Sequence, residues 1–236
     1  MPKKEFVKKM FDNIAPDYDR LNHLLSLDVD KLWRRHALKE VVDGTRQVML
    51  DVACGTGDST VAVARAAAPG SRVIGSDIST GMMSFVLEKA RKAGVEDRIT
   101  VEQGDCEDLP HADGEFDRVT CAFGVRNFEH KEKGLKEMHR VLKPGGKVVI
   151  LELSVPGNPV IAALYGLYFK RILPFIGGLV SGDNAAYKYL PASVYAFPKP
   201  EAFSRMLEGA GFREVRHQYL SLGLCSMYTG KKDLSL

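Results

Sequence analysis

Cysteine is scarce in this chain, and none of it is spaced to hold a metal. Cys54, Cys106, Cys121 and Cys225 form no C-x-x-C pair and have no flanking histidine cluster. Neither a metal site nor a disulfide framework is expected; buried thiols in a reducing compartment are. Long apolar runs are missing too. None reaches the roughly 18 residues of a transmembrane helix. The nearest, residues 160–180, is interrupted by Lys170 and Arg171, and Pro174 would break or kink a helix there. No apolar run follows the N-terminal Met-Pro-Lys-Lys-Glu, so a secretory signal is excluded and a cytoplasmic location is expected. Charge of one sign is also lacking. The 33 basic and 30 acidic side chains leave a net +3, without the dense basic footprint of a nucleic-acid binder. So mild a balance is compatible with loose attraction to the inner face of an anionic membrane. There is no internal repeat, low-complexity tract or long linker. One domain spanning 1–236 is expected, with a helical N-terminal cap over 1–44 and an apolar insertion over 156–198.

What is present is a change of rhythm. Phe6, Met10, Phe11 and Ile14 recur at helical spacing until Pro16. A second helical pattern runs from Asp17 to about Leu27. A third, with Asp30 as N-cap, carries Leu32, Trp33, Ala37, Leu38 and Val41. After Gly44 short apolar runs alternate with helical patterns. Strands are predicted over 48–53, 72–76, 98–103, 117–122 and 147–153, and helices over 59–67, 81–93 and 131–142. Such alternation indicates right-handed β-α-β crossovers and a doubly wound, mainly parallel α/β sheet. A last helix over 199–210 precedes two strands, 212–219 and 224–229, close enough to form an antiparallel hairpin at the sheet edge.

The strongest motif is Leu50-Asp51-Val52-Ala53-Cys54-Gly55-Thr56-Gly57-Asp58. A buried strand ends in a glycine-rich turn that opens a helix, the place where open α/β sheets bind ligands. Gly55 and Gly57 let the backbone turn sharply and approach a ligand. A dinucleotide site would place a third glycine where Thr60 stands. It would also place a pyrophosphate beside the Asp58 carboxylate, at the helix N-terminus, where the two would repel. A cationic ligand without phosphate turns Asp51 and Asp58 into assets, and S-adenosylmethionine, with its ammonium and sulfonium, is such a ligand. Asp77 ends the second strand and can accept hydrogen bonds from both ribose hydroxyls; a helix N-cap is its bland alternative, a role Ser79 fills equally well. In the loop after the third strand Asp105 can accept from an adenine amino group and the Cys106 amide can donate to a ring nitrogen; a solvated acidic loop is the alternative. Arg126 and Asn127, after the fourth strand, project toward the same cleft, unless Arg126 is only a surface ion-pair partner.

Taken together these segments resemble class I S-adenosylmethionine-dependent methyltransferases. Tyr18-Asp19-Arg20-Leu21-Asn22, Phe123-Gly124-Val125-Arg126-Asn127 and Lys188-Tyr189-Leu190-Pro191-Ala192-Ser193 with Phe197-Pro198 narrow the resemblance to the UbiE/MenG quinone C-methyltransferases, over residues 11–231. The resemblance implies a seven-stranded sheet with a reversed last strand. It implies cofactor contacts at Thr56, Asp77, Asp105 and Cys106. Ala122 stands where some members carry Ser, so a hydroxyl contact to the cofactor is lost there; Cys106 stands where Ala is common, a change that a backbone contact survives. The acceptor implied is the ring carbon of a prenylated quinol, demethylmenaquinol first and a polyprenyl benzoquinol second. Another phenol or a sterol is an alternative acceptor, and an NAD-dependent oxidoreductase or a noncatalytic cofactor-binding module are readings of a different class.

The sulfonium is a strong electrophile, so the protein has to orient an acceptor rather than supply a covalent nucleophile. A ring carbon is nucleophilic in the quinol and more so beside a phenolate. Arg126 and Asn127 are expected to bind the quinol oxygen and favour that form. Tyr18, Asp19 and Asp58 are expected to position the ring or remove a proton. Ile161, Leu164, Tyr165, Leu167, Tyr168, Phe169, Ile172, Leu173, Phe175 and Ile176 make the insertion either a helical cover or a channel and membrane face for the prenyl tail, with Lys170 and Arg171 among headgroups. His111, His130 and His139 are expected in surface or capping roles, without partners. Oligomeric state is left open.

Overall fold

The computed structural model describes residues 4–172 and 184–234. Leu173, Pro174, Phe175 and Ile176, assigned above to the apolar insertion, lie outside them. The chain opens with three helices, α1 (Lys4–Ile14), α2 (Tyr18–Ser26) and α3 (Val29–Val41). It then enters β1 (Val48–Val52), α4 (Asp58–Ala66), β2 (Arg72–Asp77), α5 (Thr80–Met83), α6 (Val86–Lys92) and β3 (Ile99–Gln103). After β4 (Phe116–Ala122), α7 (Lys131–Val141) and β5 (Leu142–Leu153) come α8 (Pro159–Leu167), α9 (Asn184–Ala196) and α10 (Pro200–Gly209). β6 (Arg213–Leu220) and β7 (Cys225–Lys231) close the chain.

The sheet has seven strands in the order β3-β2-β1-β4-β5-β7-β6. β1 to β5 are parallel, and β7 runs antiparallel between β5 and β6. This is the doubly wound sheet with a reversed last strand that the sequence led us to expect. Side chains alternate across it. Met49 faces a core with Trp33, Val63, Val86 and Ala90 from α3, α4 and α6, whereas Leu50 faces Leu135, Met138, Phe203 and Leu207 from α7 and α10. Central strands covered on both faces must be apolar throughout.

Several boundaries differ from the sequence-based expectation; β5, predicted to start at 147, starts at Leu142. Asp30 does not cap α3. Leu27 and Asp28 turn left-handed (φ 51° and 62°), so the helix starts earlier, at Val29. Asp30 is instead buried inside the first turn, where it accepts from the Ser26 hydroxyl at 2.6 Å and meets His23 Nδ1 at 3.1 Å. Helix 81–93 is broken in two at Ser84-Phe85.

Candidate active site

β1 ends where Ala53 (φ 54°), Gly55 (φ 57°) and Gly57 (φ 86°) all take left-handed backbone. At Gly57 the turn admits nothing larger, because a Cβ there would come within 2.8 Å of Val86. The turn delivers Asp58 to the first residue of α4, where a carboxylate faces the positive end of the helix. Beyond the ends of β1, β2 and β3 lies an open cleft of about 890 Å³. Asp51, Gly55, Thr56, Asp58, Asp77, Asp105, Cys106 and Ala122 all line it. Gly57 does not; it shapes the turn from behind. Six acidic and two basic side chains border the space, so its field favours a cation.

Each carboxylate is held. Asp51 is buried and accepts from Thr60 Oγ1 at 2.7 Å and Thr120 Oγ1 at 2.8 Å; burial pushes its pKa up. Asp77 accepts from the Gly55 amide and the Ser79 amide, both at 2.8 Å, and burial raises its pKa too. Ser79 is the residue that caps α5, accepting from the Met82 amide. Asp105 accepts from the Glu107 amide at 2.9 Å and from Lys4 Nζ at 2.7 Å. Burial opposes its ionisation, yet these donors hold its pKa low. Lys89 Nζ reaches Asp58 and Asp19, both at 2.5 Å, and Thr56 Oγ1 at 3.0 Å. Burial opposes ionisation of Asp58, but Lys89 and Arg34 keep its pKa below the ordinary range. Asp19 accepts from the Thr56 hydroxyl, so it stands one hydrogen bond behind the cleft.

A second cavity, about 1200 Å³, adjoins the first, and the two share Tyr18, Arg34 and Phe123 as walls. Its lining is chiefly apolar and aromatic: Trp33, Phe123, Leu153, Tyr165, Phe169 and Leu190 among others. Arg126 lines it with a buried side chain. One guanidinium nitrogen, Nη1, donates to Glu152 Oε2 at 3.1 Å and to the Phe123 carbonyl; the Arg126 amide donates to Glu152 Oε1 at 3.0 Å. Arg126 Nε is buried and has no hydrogen-bond partner among the described residues. Asn127 lines the first cleft, and its Oδ1 accepts from the Tyr189 hydroxyl at 3.0 Å. Burial raises the pKa of both Tyr18 and Tyr189, with Arg126 pulling the other way, so both are hydroxyl donors at neutral pH.

Sequence reasoning missed Lys4, Arg34, Lys89 and Glu152. The Arg34 guanidinium lies 5.0 Å from the centre of the Phe123 ring. Lys89 stands on α6 and acts 31 residues away, Glu152 on β5 acts 26 away, and nothing next to either residue points to its partner. Of His111, His130 and His139, two have ring neighbours: the His139 ring meets Phe212 edge-on, while His111 Nε2 lies 2.6 Å from Glu102 and its ring meets Phe116 edge-on. That pair sits behind the sheet edge, outside the lining of both cavities.

This geometry agrees with comparison to known proteins. Residues 1–232 match the model of the ubiE/COQ5 methyltransferase family. The chain belongs to that family. A protein of Bacteroides fragilis named demethylmenaquinone methyltransferase is 45% identical over 230 residues, 98% of this chain and 94% of that one. One from Geobacter sulfurreducens, named ubiquinone/menaquinone biosynthesis C-methyltransferase UbiE, is 45% identical over 232 residues, 98% of this chain and 90% of that one. Among solved structures, the [4+2]-cyclase SpnF superposes with a TM-score of 0.75 at 18% identity, covering 99% of this chain and 98% of that one. A SAM-dependent methyltransferase from Aquifex aeolicus superposes with a TM-score of 0.58 at 20% identity, covering 84% of this chain and 88% of that one. At such identities the structures speak for the fold alone.

Proposed function

We propose that this protein transfers a methyl group from S-adenosylmethionine to a ring carbon of demethylmenaquinol, giving menaquinol. The carrying observation is the pair of cavities: an acid-lined cleft at the strand ends and an apolar one with a buried arginine, meeting at Tyr18, Arg34 and Phe123. The residues fit the cofactor. Asp77 keeps acceptor capacity toward a ribose after binding its two amides, and Asp105 faces the same cleft. Asp51, whose burial disfavours its charge, would gain from a nearby ammonium. When bound, the cofactor supplies an electrophilic methyl group.

The chain's own residues do the rest. Phe123 and Tyr18 present a flat aromatic wall to the acceptor ring. Arg126, which lines the apolar cavity, binds a quinol oxygen through its guanidinium; its Nε–H is unpaired among the described residues, and an unpaired buried donor costs about 1–3 kcal/mol. That hydrogen bond favours the phenolate and so enriches the neighbouring carbon. Glu152 neutralises Arg126 and sets its direction, while the Tyr189 hydroxyl fixes Asn127. Tyr18, with its raised pKa, donates rather than removes a proton. Asp19 and Asp58, tied to Lys89, hold Thr56 and the turn in place. The tail of the acceptor lies among Tyr165, Tyr168, Phe169 and Leu190. The exposed Val160, Leu164 and Leu167 of α8 rest on the membrane that stores it.

Steady-state assays with reduced, short-tailed acceptors test this. Arg126→Ala should lower kcat about 100-fold or more, with S-adenosylmethionine affinity by calorimetry little changed. Turnover within a factor of a few of the parent would remove Arg126 from the reaction.

A further inference from the structure

α8 accounts for only one side of the apolar cavity, and the remaining lip carries two leucines that stand largely exposed among the described residues. Leu27, in the α2–α3 loop, is 81% exposed; Leu222, in the β6–β7 loop, is 77% exposed. Both hold left-handed backbone, at φ 51° and 60°, an uncommon conformation for a side chain branched at Cγ. Both belong to the mouth of the cavity. Leu27 lines it, and Ser221 and Leu224, on either side of Leu222, line it as well. The two loops are joined to one helix: Trp33 Nε1 donates to Ser221 Oγ at 2.8 Å, and Asp28 flanks the start of α3.

The outer face of α3 carries Lys31, Arg35 and Lys39, exposed and four residues apart, which places them in one row along the helix; Lys31 is paired with Asp28 at 2.6 Å, which leaves Arg35 and Lys39 to carry the charge. Leu32, 56% exposed, lies beside them. Two projecting leucines at the entrance of an apolar cavity, backed by a row of cations, match an anionic, fluid apolar phase rather than a shaped protein groove.

We propose that the α2–α3 loop, the β6–β7 loop and the basic row of α3 form a docking surface for an anionic lipid bilayer, through which the prenyl tail passes into the cavity. This rests on the acceptor assigned above. The tail is insoluble in water, and any length the cavity does not hold stays in lipid. Docking at the cavity mouth lets the quinol ring enter without the tail crossing water.

The full-length protein is sedimented with vesicles of phosphatidylcholine, with and without phosphatidylglycerol. L222D should weaken vesicle binding by about tenfold or more, the value of burying one leucine. L222G should do the same, and because glycine relaxes the left-handed turn, its folding stability should match or exceed the parent's. R35E/K39E should abolish the preference for phosphatidylglycerol. Turnover of a water-soluble, short-tailed acceptor should be unchanged in all three, while turnover of a long-tailed acceptor in vesicles falls in step with binding. Parent-like vesicle binding by L222D and L222G would overturn the proposal. So would a change of oligomeric state with unaltered vesicle binding, which would make the patch a contact between copies. A parent protein that binds vesicles but fails to methylate the short-tailed acceptor would sink the acceptor assignment instead.

Discussion

Arg126 has the environment least forgiving of change. Its guanidinium and the Glu152 carboxylate are both buried, with side-chain exposures of 6% and 0%. Removing one member of such a pair leaves an uncompensated charge in the interior, at a cost of about 3–5 kcal/mol. Glu152→Gln should therefore lower the urea midpoint steeply, and S-adenosylmethionine should restore only part of the loss, because Glu152 does not border the donor cleft. A stability within about 0.5 kcal/mol of the parent, the range of an ordinary surface substitution, would show that the pair is not sealed from water. Arg126 also explains how a neutral-looking site favours a phenolate. In the proposed reaction its charge is balanced by Glu152, so it would act on the acceptor as a hydrogen-bond donor rather than as a bare cation.

At the scale of the element, α1 is the feature least suggested by its own sequence. Val7 and Phe11 line the donor cleft. Lys4 reaches Asp105 at 2.7 Å and Glu107 at 2.9 Å, and Asp12 accepts from Ser79 Oγ at 2.6 Å and the Gly81 amide at 3.0 Å. The helix is thus strapped across the cleft at both ends. Asp12→Ala should loosen one strap. Tryptic cleavage after Lys8 or Lys9 should speed up, and S-adenosylmethionine binding should weaken about tenfold or more, as for one charge-assisted hydrogen bond. Unchanged proteolysis and affinity would mean that α1 is held by its apolar face alone. The central strands were readable because burial on both faces writes continuous apolar runs, the hairpin because only a short turn separates two strand-like runs, and the turn at Gly55–Gly57 because its backbone demands glycine. α1 showed only its amphipathic spacing. Lys4 meets Asp105 across 101 residues and Asp12 meets Ser79 across 67, and nothing local to either partner signals such a pair. The same holds for Lys89, one of two lysines on α6. Asp30 was misplaced as a cap for a related reason: the left-handed step at Leu27-Asp28 is unusual for leucine, though aspartate tolerates it, and the contacts of Asp30 with His23 and Ser26 reach back into the preceding helix.

For the whole molecule, burial of polar groups sets the response to pH. Burial pushes up the thiols of Cys54, Cys106, Cys121 and Cys225. The folded protein keeps these protons where the unfolded chain has lost them. Their contribution is intact below the unfolded value of about 8.5 and is lost as pH rises toward the folded values. Unfolding by urea should become easier above about pH 9, with a slope of up to about 5 kcal/mol per pH unit from the four thiols together. The tyrosines raised by burial add to the same trend at higher pH. A flat stability between pH 8 and 10 would place the thiols in water.

The proposed reaction passes one methyl group between two adjoining cavities. The most direct measurement supplies the purified protein with methyl-labelled S-adenosylmethionine and chemically reduced demethylmenaquinone, and follows the label by mass spectrometry with fragmentation. One labelled methyl on the naphthoquinol ring carbon, formed only under reducing conditions, is the predicted result. A label on oxygen, equal transfer to the oxidised quinone, or no transfer despite S-adenosylmethionine binding would contradict it.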